Sequence, residues 1–195
     1  MSNNAIFNAT CFSTNTEKFS SIAIMKQYIM SANCSNVIYL NNNIVKFDHV
    51  LEFGEKSQIT HTSLFFEMLS FSKDSKVCEN SDCFIIFFDL ELQKSLIELN
   101  NIITFLKCYV NEKKIFIIYF YNDENKICEN FEEENINEIF SSNNLNNFDS
   151  YKVDIDSPYD LNEAIDSITK DIFDSNKEPF DSKNLSQSNP GCSIF

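Results

Sequence analysis

The sequence contains no arginine and no tryptophan, and only two glycines and three prolines in 195 residues. Without arginine there is no bidentate clamp for a phosphate and no intrinsic arginine finger. With glycine confined to Gly54 and Gly191, there is no glycine-rich loop to bring the backbone against a ligand. Histidine is as scarce: with only His49 and His61, no Ser/His/Asp or Cys/His catalytic constellation can be argued. No apolar run approaches the length that spans a bilayer, and no basic, apolar leader opens the chain. The expected setting is therefore the cytosol.

What is present is acid and apolar bulk. The 29 Asp and Glu against 15 basic residues leave a net charge of −14, which argues against nucleic acid and against electrostatic attraction to anionic lipid. Twenty phenylalanines with many Ile, Leu and Val can supply the core of one domain, and the length suits one domain plus a tail. The abundance of Asn, Lys, Ile and Phe also looks like coding bias, a bland source for much of the composition. Seven cysteines, at 11, 34, 78, 83, 108, 128 and 192, are odd in number and lack a framework spacing, so they read as free thiols, several on core faces. Cys78 and Cys83 come nearest to a metal pair but have no second Cys/His pair nearby, and no metal site is expected.

Hydrophobic periodicity alternates between strand and helix, which predicts an α/β domain over residues 1–173. Residues 5–11 read as a short strand. Residues 18–30 read as a helix carrying Phe19, Ile22, Ala23, Met25 and Ile29 near helical spacing. Residues 37–40, an Asn41-Asn42-Asn43 turn and residues 44–53 read as a hairpin, followed by a short helix over 62–70. The continuous apolar runs 84–88 and 115–120 read as strands buried on both faces. Helices are expected over 95–110 and 132–140, and a last strand over 151–155. Leu161, Ala164, Ile165, Ile168 and Ile172 then mark the final helix by their spacing. The sum is a six-stranded, mostly parallel sheet with one antiparallel hairpin strand and helices on both faces.

Residues 174–195 read as a flexible, polar tail. It closes on Cys192-Ser193-Ile194-Phe195, which fits the C-a-a-X pattern for prenylation of Cys192, the terminal Phe favouring a geranylgeranyl group.

Element order, segment lengths and this terminus together resemble a Ras-superfamily small GTPase of Ras- or Rab-like type. The likeness covers roughly residues 5–173, and is clearest at Asp89-Leu90-Glu91-Leu92-Gln93-Lys94-Ser95 and over 151–164. The resemblance implies a Ras-like P-loop-type three-layer fold. It implies GTP or GDP with Mg²⁺ as ligands if nucleotide binding survives, and work in signalling or vesicle traffic. It also implies a prenyl-binding chaperone and effector proteins as partners, on the cytoplasmic side of a membrane with a cytosolic pool.

The five nucleotide loops of that family depart from its pattern here. The phosphate loop aligns with Phe12-Ser13-Thr14-Asn15-Thr16-Glu17-Lys18-Phe19: Lys18 stands at the phosphate-binding lysine, while Phe12 and Glu17 replace both glycines. Phe19 removes the hydroxyl that would hold Mg²⁺, and only Ser31 and Ser35 offer a hydroxyl in the first switch segment. The D-x-x-G element aligns with Leu51-Glu52-Phe53-Gly54, with Glu55 where a glutamine would orient water. The base-reading element aligns with Asn122-Asp123-Glu124-Asn125, and Asp154-Ile155-Asp156 replaces Ser-Ala-Lys. The resulting reading is a membrane-anchored small-GTPase-like protein that acts through partners, a pseudo-GTPase with weak or no GTP binding and hydrolysis. Nucleotide contacts, where any remain, would come from Lys18, Gly54, Asn122 and Asn125. The alternatives are a divergent working GTPase and an unrelated α/β adaptor.

Overall fold

The computed structural model describes residues 4–14, 21–32, 34–41, 44–53, 58–68, 78–79, 81–92, 94–109, 113–122, 133–145 and 147–175. In chain order these form β1 (Asn4–Ser13), α1 (Ser21–Ser31), β2 (Cys34–Asn41), β3 (Ile44–Phe53), β4 (Gln58–Met68), β5 (Cys83–Asp89), α2 (Ser95–Leu106), β6 (Lys114–Tyr121), α3 (Glu133–Ser142), β7 (Phe148–Asp154) and α4 (Pro158–Ser175). The strands make one sheet in the order β2-β3-β4-β1-β5-β6-β7. Its pairings are parallel from β4 through β1, β5 and β6 to β7, and antiparallel at β2–β3 and β3–β4.

The α/β class and the mostly parallel sheet are as expected. Among the described residues the strands number seven, not the six expected. Of the segment expected as a helix over 62–70, residues 62–68 lie in β4, bonded to β1 on one side and β3 on the other. Ile59, Thr60 and Thr62 are β-branched and suit that position. A central strand has both its backbone edges bonded, and this outweighs the mild helix preference of Glu67-Met68. The hairpin of β2 and β3 stands, and β4 extends it into a three-stranded antiparallel unit.

The long apolar runs have a simple cause. Side chains alternate across a strand, so Ile85, Phe87, Phe116, Ile118 and Phe120 point to one face, where α1 and α4 cover them. Phe84, Ile86, Phe88, Ile115 and Ile117 point to the other, where α2 and α3 lie. Both faces are covered, so neither residue parity is polar. Full burial of each such side chain contributes about 1.5–3 kcal/mol.

The helices follow their stripes. Leu161, Ala164, Ile165, Ile168 and Ile172 of α4 are all buried, as their spacing requires. In α1 the buried residues are Ile24, Met25 and Tyr28, while Ala23 is exposed and Ile29 half-buried, so the helix is rotated from the expected stripe. α4 runs to Ser175, two residues into the stretch read as tail. With glycine so scarce, asparagine takes the left-handed positions: Asn144 (φ 58°) follows α3, where the Leu145 N–H returns 3.0 Å to the Phe140 carbonyl. Asn36 (φ 51°) sits at an irregularity in β2.

Candidate functional site

In sheets wound this way, ligands bind beyond the carboxyl ends of the parallel strands, where loops leave and helix N-termini arrive. In this chain residues 13–14, 89–92, 121–122 and 154–157 build that edge. Its chemistry follows from where each backbone N–H and each carboxylate goes.

At β1 the first two residues of the aligned phosphate loop are still strand. Phe12 pairs with Ile86 and Ser13 with Phe87, and the Thr14 N–H donates to the Phe87 carbonyl at 3.0 Å. The Phe12 ring, aligned with the first loop glycine, is buried against Phe84 and Phe105, with centroids 6.4 and 6.2 Å away. The Thr14 hydroxyl accepts the Asp89 N–H at 3.1 Å and donates to Ser95 Oγ at 3.2 Å. Thr14, Asp89 and Ser95 are all buried, so this hydroxyl ties β1 to the exit of β5 and the first turn of α2.

From β5 to α4 the carboxylates of the edge accept its own N–H groups. Asp89 Oδ1 takes the Glu91 N–H (2.9 Å), and Glu91 Oε1 takes the Asn122 N–H (2.6 Å). Asp154 Oδ1 takes the Asp156 N–H (2.9 Å). Asp160 Oδ2 accepts the Asp154 N–H at 3.4 Å, while its Oδ1 accepts the Ser157 hydroxyl at 2.7 Å. The Ser157 Oγ also accepts the Asp160 N–H at 3.4 Å, and Pro158 opens the helix. This is a reciprocal cap whose proline supplies a preset φ and lacks only an N–H that would go unbonded.

Of the sequence-derived site residues, the structure places Asn122. It is exposed at the end of β6, and its amide donates to Asp156 Oδ2 at 3.3 Å. Lys18, Gly54, Asn125 and Cys192 lie outside the described residues, as do Glu17, Phe19 and Glu55. The strand leading to residue 54 is described, and it corrects the D-x-x-G alignment. β3 is antiparallel to β4, and Phe53 pairs with Gln58 at the start of β4. Leu51 and Phe53 are therefore at the amino edge of the parallel strands. The carboxyl end of β4, level with that of β1 through the Cys11–Met68 pair, is at Met68.

Sequence reasoning missed Thr14, Ser95, Glu91 and Asp160 as edge-building residues. Ser157-Pro158-Tyr159-Asp160 carries a readable helix-start signature. The Thr14–Ser95 bond spans 81 residues and has no local signal.

Away from the edge, Cys11, Cys78 and Cys83 are buried thiols, as the free-thiol reading expects. Burial pushes the Cys11 and Cys83 thiols up, helped for Cys11 by Cys83 and for Cys83 by Asp82 and Asp171. Burial, with Asp166 nearby, raises Cys34 to about 12. Among the described residues, no group of three or more His, Cys, Asp or Glu side chains could hold a metal ion. Nor, among them, is any helix long and apolar enough to cross a membrane. No family model matches the sequence, and no characterised protein matches it significantly.

Proposed function

We propose that this chain is a Ras-superfamily-like, small-GTPase-fold protein that has lost most or all of its nucleotide chemistry. It is held at the cytoplasmic face of a membrane by a prenyl group on Cys192 and works by binding partners, in signalling or vesicle traffic. One observation carries the loss of nucleotide chemistry: carboxylates take up N–H groups along the carboxyl edge of the sheet, the edge a nucleotide would lie on. Asp89, Glu91, Asp154 and Asp160 accept N–H groups of that edge, and such groups are what an anion site needs to leave open. Phosphoryl transfer depends on positioning and on neutralising charge. Added carboxylates oppose the second.

The fold supports the family reading in coarse outline. What supports that reading is the mostly parallel sheet covered by helices on both faces; the seven-stranded sheet departs from the six-stranded layout of the family. Asn122, at the carboxyl end of β6 where a base-reading asparagine would stand, favours the rival reading of a divergent working GTPase, now resting on Lys18 and Asn122, because the strand before Gly54 ends at the opposite edge.

Titration of the purified protein with a fluorescent guanine nucleotide, with and without Mg²⁺, decides between the two. No saturable binding in the micromolar range is expected; sub-micromolar, Mg²⁺-dependent binding overturns the proposal. For the anchor, Cys192→Ser is expected to move the protein from the membrane to the soluble fraction. A prenyl chain contributes about 0.8 kcal/mol per buried methylene, so its loss should be plain in fractionation. An unchanged distribution rules out the tail as the anchor.

A further inference from the structure

The paired helices α2 and α3 leave an open groove of about 750 Å³ between them, on the side where α2 begins. Leu92, Leu96, Ile97 and Ile139 form its apolar lining. Leu96 and Ile139 are half-buried against the core beneath, whereas Ile97 is 65% exposed, one of the few large apolar side chains so placed among the described residues. Single exposed apolar residues are ordinary, but a groove that joins one to three half-buried ones is not.

The lining itself carries one acid and one base, and two further acids stand beside it. Glu138 lines the groove, Glu134 lies one turn before it on the same stripe of α3, and exposed Glu98 follows Ile97. Lys94 is the one basic residue in the lining. The whole chain carries a net charge of −14, which opposes a second copy as occupant and favours a basic partner.

We infer that this groove is a docking site for an amphipathic helix of a partner protein, apolar on one face and basic along its flanks. Such a helix would set its apolar stripe over Ile97 and between Leu96 and Ile139, with lysine or arginine reaching Glu134 and Glu138. Helix-in-groove recognition works in this way, the apolar anchors supplying affinity and the flanking charges register. The inference names a partner chemistry for the partner-binding role proposed above, and rests on that reading only in that a partner exists. Its test involves neither the nucleotide nor Cys192.

The test uses the full chain and a synthetic helical peptide of leucine and lysine, beside a peptide of the same composition permuted to lose its amphipathic face. Anisotropy measures affinity, and hydrogen exchange locates the bound peptide. The amphipathic peptide is expected to protect α2 and α3. Ile97→Ser should weaken it about tenfold, as loss of a central apolar anchor does. Because Ile97 is largely exposed, that variant should fold as the parent does, which circular dichroism checks. Glu134→Gln with Glu138→Gln should weaken binding severalfold and flatten its salt dependence.

Equal binding of the permuted peptide, protection elsewhere, or indifference to Ile97→Ser overturns the inference. Two other occupants would overturn it as well. A dimer in sedimentation that Ile97→Ser abolishes assigns the groove to a second copy. A gain in peptide affinity on replacing Phe180 and Leu185 by serine assigns it to the chain's own tail.

Discussion

Replacing Thr14 by valine tests whether the start of the supposed phosphate loop belongs to the fold or to a ligand. Valine keeps the shape and removes only the hydroxyl. The Asp89 N–H, 3.1 Å from that oxygen, then has no acceptor there, and Ser95 loses a donor at 3.2 Å. Thr14 is 5% exposed and Asp89 3%, so water has little access to the gap. A buried donor left unsatisfied costs about 1–3 kcal/mol. The Ser95 hydroxyl can rotate and loses less. The expected destabilisation is about 2 kcal/mol, close to the cost of that one N–H. In a chain of this length it lowers the melting temperature by about 4–8 °C. Urea unfolding of the two proteins reads it as a lower midpoint with an unchanged slope. A loss under about 0.5 kcal/mol would show that the N–H finds water or another acceptor, and would refute the accounting.

Alkaline pH should destabilise the protein. Desolvation pulls the Lys114 pKa down, but its hydrogen bonds and charge pairing with Asp149 and Asp171 more than offset this and leave it raised. Burial raises Tyr28 and Tyr151, with Asp166 and Asp149 adding to each. A raised folded pKa gives stability that is complete below the unfolded value and lost as pH climbs through the folded one. Urea midpoints should thus begin to fall above about pH 9, where the thiols of Cys11, Cys34 and Cys83 ionise in the unfolded chain, and fall further above about pH 10, less steeply there for Lys114→Met and Tyr28→Phe; a flat profile would contradict the shifts. For the thiols at 11, 34, 78, 83 and 108, brief alkylation at neutral pH followed by peptide mass mapping should modify Cys108, the exposed one. Fast labelling at Cys34 or Cys83 would show that burial does not protect them. Phe140, buried between α3 and β7 and stacked on Phe148 at 4.0 Å, should cost about 3–5 kcal/mol when cut to alanine, measured in urea. A cost below about 1 kcal/mol would mean the site collapses around the gap.

Local pattern was enough for most elements. The runs around Ile85 and Ile117 showed strands buried on both sides because each parity of side chain meets its own layer of helices. The spacing from Leu161 to Ile172 marked α4, because one stripe of a helix must face the sheet. Local pattern also supplied the acid balance and the tail motif at Cys192, which are matters of composition and spacing.

Tertiary structure alone decided the rest. β4 is a strand because β1 and β3 bond both its edges, and one of these partners lies nearly sixty residues earlier. That extra strand moves Leu51 and Phe53 to the amino edge, a change that reading a motif along the chain could not register. The scattered acids Asp89, Glu91, Asp154 and Asp160 look like solvated charges in sequence. Only folding brings them to one edge, where they take N–H groups from strand ends and turns. Periodicity records what each segment must bury. Who bonds to whom depends on chain closure across many residues, which no local pattern encodes.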